Sequence, residues 1–204
     1  MVGRLLRFPV RIGKLFLTPR TSMWHYRRPS PELIQRFLEE QRRLPLSFEP
    51  GTLTGFQLDE ERALLGQGEA AFLAGCRAVQ QWRMFPEAWT VIVPREAPLV
   101  VGQVVAVLAR AFGVWWLNAC RIVSVTDDVE PVRRFGFTYA TLPGHVELGE
   151  ELFLIEWDRE GRVWYQIRAV SRPRYWLARL AYPLTRWLQR RFRRDSIRGM
   201  QAAQ

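Results

Sequence analysis

One imidazole sits among carboxylates in this chain. His145 lies in the segment Pro143–Glu151 together with Glu147, Glu150 and Glu151. A carboxylate beside an imidazole orients it and raises its basicity, so His145 or Glu150 is a candidate acid–base group. The same residues make a poor metal site, because a single His with loosely spaced carboxylates lacks a ligand pattern, and no metal is expected. The simpler alternative is a hairpin loop shaped by Pro143, Gly144 and Gly149, in which the histidine caps backbone groups.

A second set of candidates sits in runs of alternating polarity. Tyr139 and Thr141 share a strand face with Phe135 and Phe137, as polar anchors in an apolar cavity would. Arg110, Arg121 and Arg168 also fall in strand-like runs. An inward-facing strand arginine must be paired, which makes Arg121 and Arg168 candidate anchors for an acidic group. Alternation puts Arg121 with Trp115, Leu117 and Val123, and Asn118 with Trp116 and Ile122. Both faces are apolar, so the pattern leaves open which one points inward. There is no Ser-His-Asp order, nucleophile elbow, P-loop or dinucleotide fingerprint, and Gly66-Gln67-Gly68 reads as a loop. No cofactor is implied.

The elements that must position these residues follow from periodicity. Residues 1–30 form a basic, proline-punctuated arm. Ser30 caps a short helix from Glu32 to Arg43, opened by Pro31. Thr52–Leu58 reads as a strand, with acidic Asp59, Glu60 and Glu61 after it. A helix then runs to about Met84, with Phe72, Val79 and Trp82 at helical spacing. Six strands follow: Ala88–Val93, Leu99–Arg110, Val114–Thr126, Arg134–Leu142, Glu150–Asp158 and Arg162–Ser171. A long helix from Pro173 to about Met200 closes the order, kinked at Pro183. Trp176, Leu180, Leu184, Trp187 and Phe192 form its apolar stripe; Arg179, Arg186, Arg190 and Arg193 lie on another face. A meander ending in an amphipathic helix is an α+β arrangement, a curved antiparallel sheet of about seven strands gripping that helix. The organisation expected is an arm with a short helix at 1–45 and one domain at 46–204.

Composition narrows the function classes. The 204 residues are 48% hydrophobic and 25% charged, which suits a folded core. The net charge is +10, and it is unevenly placed. Residues 1–28 hold seven basic residues and no acidic one, and residues 172–204 hold nine arginines against Asp195. The stretch between them is mildly acidic. Nucleic acid is therefore an unlikely partner, since no nucleic-acid motif accompanies the charge. Residues 1–28 interleave Leu5, Leu6, Phe8 and Phe16 with Arg4, Arg7, Arg11 and Lys14, which suits packing on the domain or a protein partner, or contact with an anionic membrane surface. The apolar run Val100–Cys120 would place Arg110 near the centre of a transmembrane helix at a cost of roughly 2.5–3.5 kcal/mol, so two buried strands fit it better. Cys76 and Cys120, without a CxxC, fit reduced thiols in a cytoplasmic protein, with membrane contact at most peripheral.

Several local motifs carry a resemblance. They are Gln80-Gln81-Trp82-Arg83-Met84-Phe85-Pro86, Trp115-Trp116-Leu117-Asn118-Ala119-Cys120-Arg121-Ile122-Val123, Gly136-Phe137-Thr138-Tyr139-Ala140-Thr141-Leu142-Pro143-Gly144-His145, Gly149-Glu150-Glu151-Leu152-Phe153, Ile167-Arg168-Ala169-Val170-Ser171-Arg172-Pro173 and Tyr182-Pro183-Leu184. From about Thr54 to Phe192 the chain resembles the domain of unknown function 1990 family. Its element order resembles the helix-grip superfamily of START, birch-pollen-allergen and polyketide-cyclase proteins. That resemblance implies a fold and no particular reaction. The leading expectation is a small apolar ligand held between sheet and C-terminal helix. Trp82, Asn118, Tyr139, Thr141, Trp176, Leu180 and Trp187 would line the site, with Arg121 and Arg168 as polar anchors. The alternatives are a docking module that uses the basic arm, and a cyclase- or hydratase-like enzyme that uses His145 or Glu150.

Overall fold

The computed structural model describes residues 23–48, 55–130, 132–174 and 182–204. Eight strands and three helices are seen among them. The strands are β1 (Trp24–His25), β2 (Gln57–Gln67), β3 (Thr90–Val93), β4 (Val104–Ala111), β5 (Val114–Asp128), β6 (Arg133–Thr141), β7 (Glu147–Trp157) and β8 (Arg162–Pro173). The helices are α1 (Pro31–Arg42), α2 (Gly68–Gln80) and α3 (Tyr182–Gln201). One antiparallel sheet takes the order β2-β8-β7-β6-β5-β4-β3, and β1 adds to β5 where β6 has already turned away. This is the α+β helix-grip arrangement, with one short extra strand.

The two faces of the sheet carry separate cores. On the inner face, Cys120, Ile122, Phe137, Phe153, Ile155, Tyr165 and Ile167 pack with Phe72 and Val79 of α2 and Met200 of α3. On the outer face, Ile34, Phe37 and Leu38 of α1 pack on Val104, Ala106, Leu108, Leu117 and Ala119. β4 and β5 are thus covered on both sides, which is why the run through Val100–Cys120 is apolar without alternation. The short helix α1 packs on the outer face of β4 and β5. Ser30 Oγ accepts from the Leu33 amide at 3.3 Å, and Pro31 fills the first turn.

Several boundaries move. β2 begins at Gln57 and includes the acidic residues expected to follow it; residues 52–54 lie outside the described set. Charged residues are tolerated in this strand because Asp59 and Glu61 point inward to arginines of α3, while Glu60 points outward to Gln166. Pro173 ends β8 and does not open a helix. Pro183 is the second residue described in the last helix, and the turn before it, where the expected kink would show, lies outside the described residues. Residues 1–22 and 175–181, including Trp176 and Leu180, lie outside the described residues. Below them on the arm, Trp24 and His25 pair with Trp116 and Trp115, and the Arg28 guanidinium stands 5.6 Å over the Trp115 ring.

Arg186 and Arg193, on the basic face of α3, turn toward the sheet. Arg186 forms a two-pronged ion pair with Asp59, and Arg193 reaches Glu61 at 2.8 Å and Asp59 at 3.5 Å. Only 6% of Arg193 is exposed.

The loop after β6 is pinned to α1. The Gly144 amide donates to Gln41 Oε1 at 2.8 Å, and a Cβ at Gly144 would stand 2.6 Å from the Phe37 ring. Gly144→Ala is therefore expected to lower stability by roughly 1–3 kcal/mol through overpacking. Urea unfolding measures this, and an unchanged midpoint would show that the loop is not seated there.

Candidate functional site

α3 is seated mainly by its C-terminal half. Met200 is fully buried, the Ser196 and Tyr165 hydroxyls share a 2.7 Å hydrogen bond, and a Cβ at Gly199 would meet the Arg83 carbonyl at 2.6 Å. Phe85, Phe137, Phe153 and Tyr139 interlock beneath it with ring centroids 5.4–6.4 Å apart. The N-terminal half of α3 is only partly covered, and under it a cleft of about 670 Å³ opens between helix and sheet. Its walls are mostly apolar, from Val107, Ala109 and Ala111 on β4, Trp116 on β5, and Leu184, Leu188 and Phe192 on α3.

A row of polar side chains crosses the sheet side of this cleft. Asn118 Oδ1 accepts from the Val146 amide at 3.3 Å, and Thr141 Oγ1 accepts from the Gly149 amide at 3.1 Å. The Tyr139 hydroxyl donates to the Glu151 carboxylate at 2.6 Å. Gln189 of α3 donates to Glu147 at 2.8 Å and to Ser171 Oγ at 3.2 Å. His145 Nδ1 accepts from the Glu147 amide at 2.9 Å, which places the proton of the neutral ring on Nε2.

Enclosure sets the protonation of these groups. Loss of solvent around His145, with Arg174 nearby, pulls its pKa down to about 4, so the ring is neutral and a weak base. The same desolvation, reinforced by the charge of Glu147, raises Glu151 to about 7 against the opposing Tyr139 hydrogen bond. Glu147 is raised too, chiefly by desolvation, with Gln189 and Ser171 opposing. Tyr139 is pushed well up by burial and by the Glu151 charge, so it remains a phenol and a donor.

The structure sorts the other candidates. Asn118, Tyr139, Thr141 and His145 lie along the cleft, whereas Glu150 borders it with its side chain on the opposite face of β7 from Glu147 and Glu151. Trp82 does not: it is in the core with its ring 4.9 Å from Phe137, and its indole donates to the Ala97 carbonyl at 2.9 Å. Trp187 stands outside, 44% exposed, near Phe112. Arg121 is on the outer face, where Nη2 donates to the carbonyls of Arg42 and Leu44 at 3.0 Å each, closing the C-terminal end of α1. Arg168 is exposed on that same outer face. Neither arginine is a cleft anchor, because inward alternation on their strands falls on Asn118, Cys120, Ile167 and Ala169. Glu147 and Glu151, named with His145 but not singled out as candidates, also lie in the cleft, as does Gln189, which the sequence reading did not name. Extending the Phe153-Ile155-Trp157 face back by two residues reaches Glu151, directly opposite Tyr139 in the register. Among the described residues no three His, Cys, Asp or Glu side chains gather as a metal site, and no helix is long and apolar enough to cross a membrane.

The family model described as domain of unknown function (DUF1990) matches residues 45–199, and the chain belongs to that family. A UPF0548 protein of Dictyostelium discoideum is 32% identical over 203 residues, covering 87% of this chain and 94% of the relative. One from Arabidopsis thaliana is 33% identical over 146 residues, covering 70% of each chain. A third, from Deinococcus radiodurans, is 32% identical over 197 residues, covering 86% and 96%. Among solved structures, a hypothetical protein of Helicobacter pylori aligns with a TM-score of 0.49 at 12% identity, covering 78% of this chain and 94% of its own. Ara h 8.0201 aligns with a TM-score of 0.43 at 13% identity, covering 72% and 97%.

The Glu151 environment has a pH signature. A carboxyl whose folded pKa is raised stabilises the fold below its unfolded value of 4.5, and that stabilisation is lost as pH rises through about 7. His145 acts in the opposite sense, contributing above 6.5 and losing its contribution as pH falls through about 4. Glu151→Gln, which removes the first effect alone, should gain stability relative to the unsubstituted protein as pH rises from 4.5 to above 7. Urea midpoints at the two ends measure this, and a constant difference between the proteins would contradict the assignment.

Proposed function

We propose that this member of the DUF1990 family binds a small, largely apolar molecule in the cleft between the sheet and the N-terminal half of α3. The observation that carries this reading is the composition of the cleft, apolar walls crossed by a few fixed hydrogen-bonding groups. Its volume of about 670 Å³ is in the range of small-molecule sites. Asn118, Tyr139 and Thr141 orient the ligand through groups held by their own hydrogen bonds, and Trp116, Leu188 and Phe192 supply contact area. The free thiols of Cys76 and Cys120 fit a reducing, cytoplasmic setting.

A second reading is catalysis of cyclase or hydratase type in the same cleft. It is favoured by Glu151, whose pKa of about 7 beside the Tyr139 hydroxyl suits proton exchange near neutrality. His145 is a weaker base in this environment, and Glu151 takes the acid–base role expected of His145 or Glu150. A docking role for residues 1–28 finds support for packing on the domain itself in the pairing of Trp24 and His25 with β5.

Organic extraction of gently purified protein followed by mass spectrometry should recover one apolar compound at near-equimolar amount. Ala109→Trp, which fills the cleft, should lose it while remaining folded. Re-addition at one hundred times the dissociation constant should stabilise the protein by about 2.7 kcal/mol. Failure to recover any compound, with no stabilisation by apolar probes, would remove the ligand-binding reading.

A further inference from the structure

We infer that the cleft selects a ligand whose polar end is cationic, an organic amine carried on an apolar body. The inference rests on the ligand-binding reading and names the chemical class that this site would take. Among the described lining residues two inward-facing carboxyl groups, Glu147 and Glu151, are accompanied by one guanidinium, Arg193. Arg193 is already engaged by Glu61 at 2.8 Å and by Asp59 at 3.5 Å. Among the described lining residues an anionic head would meet these carboxylates and no uncommitted cation, and like charges in a desolvated site repel strongly.

A cation finds the opposite environment. Glu147 and Glu151 lie on one face of β7, and each is held by a neighbour, Gln189 and Tyr139, that leaves carboxylate lone pairs for another donor. The same cleft presents the rings of Phe85, Trp89, Trp116 and Phe192. Aromatic faces attract ammonium groups by their quadrupole, most strongly where water is excluded. The neutral His145 adds no positive charge against such a ligand.

The charge of the whole chain makes the inference easy to overturn. A net charge of +10 draws anions to the protein at long range. A preference for an amine must therefore come from the cleft and not from the surface. The test titrates the full-length protein with decylamine, decanoate and decanol, each below its aggregation concentration, at physiological ionic strength and a pH above the Glu151 midpoint of about 7. Tryptophan fluorescence is the readout. The expected order is decylamine tighter than decanoate by about tenfold or more, which is about 1.4 kcal/mol. Glu147→Gln combined with Glu151→Gln should weaken decylamine by about the same factor and leave decanol unchanged.

Decanoate binding as tightly as decylamine would overturn the inference while sparing the ligand-binding reading, provided decanol binds. Unchanged decylamine affinity in the folded double variant would overturn it as well. If decanol and decylamine both fail to bind, the ligand-binding reading falls and the inference falls with it. The comparison of the three probes on the unsubstituted protein stands even if the double variant does not fold.

Discussion

The ion pairs between β2 and α3 are the constraint on which the architecture depends. Asp59 and Glu61 stand on the inner face of an edge strand, and Arg186 and Arg193 reach down to them from the helix. A charged side chain at such a position must be matched, and a carboxylate left alone there would cost several kcal/mol. An arginine is long, so the pair spaces the helix from the sheet as well as tying it down. Below that contact the helix sinks onto Tyr165 and the Arg83 carbonyl. Above it, apolar side chains of α3 reach toward the sheet without filling the gap. The cleft exists because one end of the helix is packed and the other is propped.

Much of this fold was visible in the residues. Period-two runs from Arg134 to Ser171 located β6, β7 and β8 within a few residues, and the long apolar stretch resolved into β4 and β5 around Gly113. The errors share one physical origin. β2 was placed too early because Asp59, Glu60 and Glu61 are poor strand formers locally, and their partners lie more than a hundred residues away. The start of the last helix was misplaced for a similar reason. Pro173 resembles a helix opener, yet it completes a ladder with Glu147 at the sheet end. Local pattern reports propensity, whereas these boundaries are set by non-local pairing.

The site was legible to a lesser degree. Tyr139 and Thr141 could be placed by alternation because Phe135 and Phe137 accompany them. Arg121 could not, since β5 is covered by apolar groups on both faces and the helix carbonyls that receive it belong to α1. Trp82 looked like a lining residue by its helical spacing with Val79. It lies beyond the end of α2, in a left-handed backbone turn with φ of 58° that swings its ring into the core. Glu151 was named beside His145 and placed in a strand, but its alternation with Phe153 and Ile155, which turns it inward opposite Tyr139, was not followed.

The bulge in β5 between Ile122 and Ser124 has a topological consequence. Up to Ile122 the even-numbered residues of this strand face the interior, and beyond it Val125 and Asp127 stand opposite the inward-facing Phe137 and Phe135. One extra residue thus inverts the parity of the strand midway along its length. The half that borders the cleft and the half that leaves it obey opposite rules, so each half is free to vary in side-chain character without dictating the other. A single-residue deletion there would merge the two rules into one, and the sheet would have to choose which half to turn inside out.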